Sequence, residues 1–203
     1  MCLMEKVPAQ GYPDGDIVLP SGVTGVYIPE NVILRKVKEI AQVIARDSSS
    51  YLHTLVILKG AVVFASDLFR EIARIASIDL YHSFLKVSSY GNKAESSGKI
   101  VLSHDVHEIR GRDILVIEDI VDTGRTIERL RDYLYEERGA EHVRICCLMD
   151  KKCARLPGID LVPDYCGFEV ADHFLVGYGL DYAEKFRELP YVGILDKSAF
   201  GIE

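Results

Sequence analysis

Two stretches of the chain share one pattern: an unbroken apolar run, a short polar loop, then apolar residues spaced by three and four. Ile114-Leu115-Val116-Ile117 leads through Glu118-Asp119-Ile120-Val121-Asp122-Thr123-Gly124-Arg125-Thr126 to Ile127, Leu130 and Leu134. Leu55-Val56-Ile57-Leu58 leads through Lys59-Gly60 to Val62, Ala65, Leu68, Phe69, Ile72 and Ile75, which the spacing places on a buried helix side. Short apolar runs rich in β-branched residues predict strands covered on both faces, the habit of parallel sheets flanked by helices. A third run, Val143 to Met149, predicts another such strand and ends in Asp150-Lys151-Lys152, after a helix closed by Gly139. Leu80 to Val87 alternates weakly and predicts a further strand, followed by a polar run to Lys99 that reads as a mobile loop. From Pro29 the spacing predicts a helix, with Val32, Lys36 and Ile40 alternating with Ile33, Val37 and Ile44, ending near Asp47-Ser48-Ser49-Ser50. Before it, Gly11, Pro13, Gly15, Pro20, Gly22 and Gly25 predict an irregular arm with at most a short strand at Ile17-Val18-Leu19.

Composition narrows this α/β picture. A chain of 203 residues suits one domain with a full core. A net charge of −7 argues against a general nucleic-acid or membrane surface. No stretch reaches the length of a membrane span, and no signal peptide opens the chain. The five cysteines are odd in number and lack C-x-x-C spacing, and Cys146 and Cys147 adjoin in a strand pattern that points them to opposite faces. A reduced, cytoplasmic protein is expected.

The loop after Ile117 has two chemical halves. Hydroxyl residues around Gly124 at a helix start offer backbone N–H groups and the positive dipole end, which suit a phosphate dianion. The acids Glu118, Asp119 and Asp122 would repel that dianion unless sugar hydroxyls or a divalent cation stand between them. The segment holds neither G-x-x-x-x-G-K-S/T nor G-x-G-x-x-G. The ligand class expected is a phosphorylated sugar with a metal. A solvated acidic loop capping the helix is the plain alternative, but it gives no reason for so many acids to follow a buried strand.

The thirteen residues from Ile114 to Thr126 resemble the 5-phosphoribosyl diphosphate (PRPP) binding motif of the type I phosphoribosyltransferases. Lys59-Gly60 resembles that family's diphosphate loop, which carries a cis non-proline peptide, here expected between Leu58 and Lys59; Ala61 stands where the family often has a second glycine. Ser89-Tyr90 resembles its catalytic lid. PDYCGFE, FLVGYGLDY and FRELP, between Pro163 and Pro190, resemble the 6-oxopurine branch, which handles hypoxanthine and guanine. The resemblance covers nearly the whole chain from Tyr27 onward. It implies the type I phosphoribosyltransferase fold: a central, mostly parallel sheet flanked by helices, forming one domain over residues 1–203. The core is expected over about 30–160, with a hood from about 1–28 and 161–203.

What the resemblance implies for chemistry is transfer of a 5-phosphoribosyl group from PRPP to N9 of hypoxanthine or guanine, giving IMP or GMP plus diphosphate. Mg²⁺ is the implied cofactor, with Asp181 on one ion directly or through water, and with Glu118 and Asp119 holding the ribose hydroxyls alongside Mg²⁺. Asp122 is the implied general base near purine N7. The 5-phosphate is expected on the backbone from Asp122 to Thr126 and on the Thr123 and Thr126 hydroxyls, with Gly124 and Arg125 contributing main chain alone. Arg187 and the Lys59-Gly60 backbone are expected on the diphosphate. Phe174 is expected to stack on the purine and Leu175 to read its edge through backbone groups, with Asp181 also beside the purine site. Lys151, or Lys152 in another register, is expected to donate to the 6-oxo group and so to disfavour adenine. His104 and His107 lack a ligand set to complete a metal site. A homodimer or homotetramer is implied, with neither nucleic acid nor membrane as a partner. A xanthine-preferring enzyme and a non-catalytic regulator on the same fold are the alternatives.

Overall fold

The structure is a computed structural model that describes residues 4–8, 17–86, 109–196 and 198. Its framework is a six-stranded parallel sheet in the order β1-β7-β6-β5-β3-β4. In chain order the elements are β1 (Glu5–Lys6), β2 (Val23–Ile28), α1 (Glu30–Asp47), β3 (Tyr51–Leu58), α2 (Val62–Ile75), β4 (Asp79–Lys86), β5 (Asp113–Val121), α3 (Arg125–Glu136), β6 (His142–Asp150), β7 (Tyr165–Glu169), β8 (Leu175–Val176) and β9 (Val192–Leu195). A second, antiparallel sheet, β2-β9-β8, forms the hood.

The apolar runs are buried on both sides, as their composition demands. Leu115 and Ile117 enter the core shared with α1 and α2, whereas Ile114 and Val116 enter the core under α3. Cys146 and Cys147 divide the same way, one per core, because successive side chains of a strand alternate in direction. Ile127, Leu130 and Leu134 form the buried stripe of α3. On α1 the buried stripe includes Lys36, whose ammonium lies 2.6 Å from Glu39 and 3.3 Å from Glu5, so this charge is neutralised where it is buried and ties β1 to the helix.

Four expectations need correcting. The arm strand lies at β2, not at Ile17-Val18-Leu19; Val18 is 93% exposed, while Val26, Tyr27 and Ile28 are buried against the hood and core. On α2, Phe64 belongs to the buried side, but Val62 and Ile75 at the two ends are exposed, because the sheet does not reach the helix termini. β5 runs on through Val121, so Glu118 and Asp119 are strand residues rather than loop residues. The segment 161–203 does not form the hood as a unit. Tyr165–Glu169 extends the main sheet beside β6, with four of its five residues buried, and β1 adds parallel to it.

Strand order positions the site. From β3 the chain crosses through α2 to β4 on one side; from β5 it crosses through α3 to β6 on the other. The carboxyl ends of β3 and β5 therefore flank the crevice where connections diverge, the usual place for ligands in an open α/β sheet.

Candidate active site

Both loops singled out in the sequence open into that crevice. β3 ends in a cis peptide between Leu58 and Lys59, followed by Gly60. Gly60 has no room for a side chain: a Cβ there would lie 1.7 Å from Asp119 Oδ2. From the hood, Gly179 closes on the same point, since its own Cβ would lie 2.1 Å from the Gly60 carbonyl oxygen. Gly179 has φ +100°, a left-handed backbone that glycine alone adopts without strain. Ala61, where a second glycine was in question, is fully buried at the start of α2.

At the end of β5, Glu118 and Asp119 are buried side by side. The Glu118 carboxylate accepts from the Asp119 amide at 3.2 Å, and the Asp119 carboxylate accepts from the Ile120 amide at 2.8 Å. Burial pushes the Glu118 carboxyl well above the ordinary range, and the neighbouring Asp119 charge adds to this. Asp119 is also raised by burial, against the pull of its own hydrogen bonds and of Arg187. Burial disfavours the ionised form of both acids, which sugar hydroxyls or a cation would stabilise.

Beyond Val121 the chain emerges into solvent. The side chains of Asp122, Thr123, Arg125 and Thr126 are exposed around buried Gly124, whose φ is +82°. Gly124 is the N-cap of the twelve-residue α3 and offers no side chain to its first turn. A helix leaves its first amides without intrahelical partners, so this start can accept an anion.

The hood supplies the opposite wall. Arg187 donates to the Gly179 carbonyl at 2.8 Å and pairs with Asp181 at 2.7 Å and Glu184 at 3.5 Å. Lys59 pairs with the same Glu184 at 2.9 Å. Lys59, Asp181 and Arg187 thus meet through one charged cluster. Lys151, at the end of β6, donates to the His173 carbonyl at 2.8 Å, which brings its ammonium beside Phe174 and Leu175. Lys152 turns away to Glu169 at 3.1 Å. Phe174 is half-buried, edge-on to Tyr182 at 5.8 Å, and Leu175 is buried in β8. Tyr178 anchors this wall to α2 by donating to Asp67 at 2.6 Å, and burial pushes its phenol far up. Ser89, Tyr90, His104 and His107 lie outside the described residues.

Among the described residues no three His, Cys, Asp or Glu side chains come together as a metal cage. Mg²⁺ is commonly held by one or two carboxylates together with waters and substrate oxygens. Glu118 and Asp119, and separately Asp181, fit that requirement.

The profile of the phosphoribosyl transferase domain matches residues 29–183. The chain belongs to this family. It is 41% identical over 177 residues to the hypoxanthine-guanine phosphoribosyltransferase of Bacillus subtilis, covering 86% of this chain and 94% of that one. A crystal structure of a hypoxanthine-guanine phosphoribosyltransferase from Bacillus anthracis superposes with a TM-score of 0.73 at 35% identity, covering 86% of this chain and 99% of that one. A hypoxanthine phosphoribosyltransferase from Staphylococcus aureus superposes with a TM-score of 0.79 at 33% identity, covering 92% and 99%. The family match spans both crevice loops and β8 of the hood.

Sequence reasoning passed over four residues of this site. Gly179 and Glu184 lie inside recognised segments but are silent as residue types. Asp150 reads as an ordinary strand-end acid, and Arg155 as surface charge after a lysine pair. Only the fold brings Arg155 back against the loop at Asp122.

Proposed function

We propose that this protein transfers the 5-phosphoribosyl group of PRPP to N9 of hypoxanthine or guanine, releasing diphosphate and forming IMP or GMP, in cytoplasmic purine salvage. The observation that carries the reading is the buried Glu118–Asp119 pair running directly into the exposed Asp122–Thr126 helix start, at the divergence of β3 and β5.

The ribose 2- and 3-hydroxyls donate to Glu118 and Asp119, whose ionised forms burial otherwise disfavours. Negative charge there also favours the cationic sugar that forms as the diphosphate leaves. Amides of the loop and of the first turn of α3 take the 5-phosphate, with the Thr123 and Thr126 hydroxyls. The exposed carboxylate of Asp122 accepts the proton released as the purine attacks. Lys59 and Arg187 receive the diphosphate, for which they exchange their present partner Glu184. Glu118 and Asp119, or Asp181, would hold Mg²⁺ together with substrate oxygens, and the ion would supply positive charge for the leaving group.

Phe174 supplies a face for the purine. Lys151 supplies a donor for its 6-oxo oxygen, since its ammonium reaches the His173 carbonyl and Asp172 next to Phe174, whereas Lys152 points to Glu169. An adenine 6-amino group is itself a donor and would face the Lys151 ammonium donor to donor, a mismatch that disfavours adenine. A reducing compartment suits Cys146, Cys147, Cys153 and Cys166, none of which is in a disulfide.

The test is a steady-state assay with PRPP, Mg²⁺ and each of hypoxanthine, guanine, xanthine and adenine. Turnover of the first two above the others is expected; absence of nucleotide with any base overturns the reading.

A further inference from the structure

Three consecutive carbonyls of the phosphate loop are held from one side by a single segment. The Lys151 amide donates to the Val121 carbonyl at 2.9 Å, the Arg155 guanidinium to the Asp122 carbonyl at 2.6 Å, and the Leu156 amide to the Thr123 carbonyl at 3.2 Å. In a trans peptide the carbonyl and the following N–H point in opposite directions. Fixing these carbonyls on the side of residues 151–156 therefore directs the amides of Asp122, Thr123 and Gly124 the other way, as a cradle for an anion.

Two of the three contacts come from the main chain and persist whatever side chains are present. The middle one depends on Arg155 alone. Its second guanidinium nitrogen pairs with Asp150, the last residue of β6, which is entirely buried and lies in register with Val121. The other carboxylate oxygen of Asp150 is buried without a hydrogen-bond partner, so Arg155 is the contact that offsets this charge. The aliphatic stem of Arg155 closes the remaining space: a Cβ on Gly124 would lie 2.9 Å from its Cδ. Arg155 thus touches the loop twice, through the Asp122 carbonyl and at Gly124.

We propose that Arg155 is a positioning residue for the 5-phosphate cradle, with Asp150 as its buried counter-ion. Its hydrogen bond polarises the Asp122–Thr123 peptide, strengthening the Thr123 amide as a donor on the opposite side. The planar fork spans a carboxylate and a carbonyl at once, a geometry that lysine does not reproduce. The inference rests on the phosphoribosyl reading of the site, and it concerns the phosphate end alone.

The test compares two ligands on the intact protein by calorimetry: ribose 5-phosphate, and Mg²⁺–diphosphate. Arg155→Met keeps most of the stem and removes the fork. It is expected to weaken ribose 5-phosphate about tenfold, the scale of one charge-assisted hydrogen bond. Diphosphate affinity is expected to stay within about twofold, because Arg155 makes no contact with Lys59 or Arg187 in the structure. An equal loss on both ligands indicates general damage and overturns the proposal, as does no loss on either. If Arg155→Met does not fold, Arg155→Lys is measured with the same two ligands and the same criteria. A wild-type protein that binds ribose 5-phosphate yet makes no nucleotide would overturn the catalytic reading while leaving this inference intact.

Discussion

The two ends of the crevice are built by different means. At the end proposed for the 5-phosphate, the loop from Val121 to Thr123 is pinned through its carbonyls, with buried Asp150 paired to Arg155 behind it. At the opposite end the cations Lys59 and Arg187 share Glu184, and the Lys59 and Glu184 side chains are 54% and 65% exposed. Ala183, Glu184 and Phe186 there have positive φ, an uncommon backbone for residues with side chains. In the proposed reaction the 5-phosphate belongs to both substrate and product, whereas the diphosphate must arrive and depart. A main-chain cradle suits the group that stays. Exchangeable ion pairs suit the group that leaves.

The largest expected effect tests whether the phosphate loop carries chemistry as well as rigidity. Asp122→Asn should lower kcat by about 10² to 10⁴-fold, the range for a lost general base, with the melting temperature unchanged because the side chain is exposed. A stability loss of comparable weight would make Asp122 part of the scaffold and break the comparison. Next comes Gly60→Ala, which forces a Cβ into Asp119. It should cost about 1–3 kcal/mol of stability, as overpacking does, and raise KM for PRPP. A neutral outcome would mean that the diphosphate end has no rigid floor.

A smaller effect falls between the two ends. Burial holds the Glu118 carboxyl above its ordinary range, so the folded protein keeps a proton that the unfolded chain releases. Stability from this group is present below the ordinary glutamate value and declines as pH rises through the raised folded value. Glu118→Gln should therefore melt higher than wild type at neutral pH, with the difference vanishing in acid, while activity is lost; thermal melts across pH check this. Smallest is Glu184→Gln, which releases Lys59 and Arg187 from an exposed competitor. Product inhibition by diphosphate should tighten about threefold, in keeping with the modest strength of exposed ion pairs. Weaker inhibition would instead make Glu184 part of diphosphate binding and erase the contrast.

The main sheet was legible because its strands must be apolar on both faces, and no other common arrangement calls for runs such as Ile114–Ile117 and Val143–Met149. The α3 face was legible for a similar reason, since a helix on a sheet needs one stripe. β2 was not, because glycines and a proline mask a strand whose partner, β9, lies more than 160 residues away. The Glu118–Asp119 assignment to a loop followed from polarity; burial of two acids in a strand is stable only within a site, which no local pattern reports. The cis Leu58–Lys59 bond was expected from family resemblance alone and is present in the structure. Arg155 escaped notice because its role depends on a fold-back that brings residues 151–156 behind residues 121–123. Main-chain partners of this kind leave no signature in residue type.

The meeting of Gly60 and Gly179 has a mechanical consequence. Two residues without side chains, one seated on Asp119 and the other on the Gly60 carbonyl, leave no compressible layer between sheet and hood. Gly177 is wedged likewise, with its missing Cβ 2.1 Å from the Tyr191 carbonyl oxygen. Inward tilt of the hood at Phe174 would then be transmitted at once to the Lys59-Gly60 peptide, as through a rigid hinge pin. In the proposed reaction the base and the departing diphosphate exchange at one sugar carbon, and they would then also be coupled through the protein.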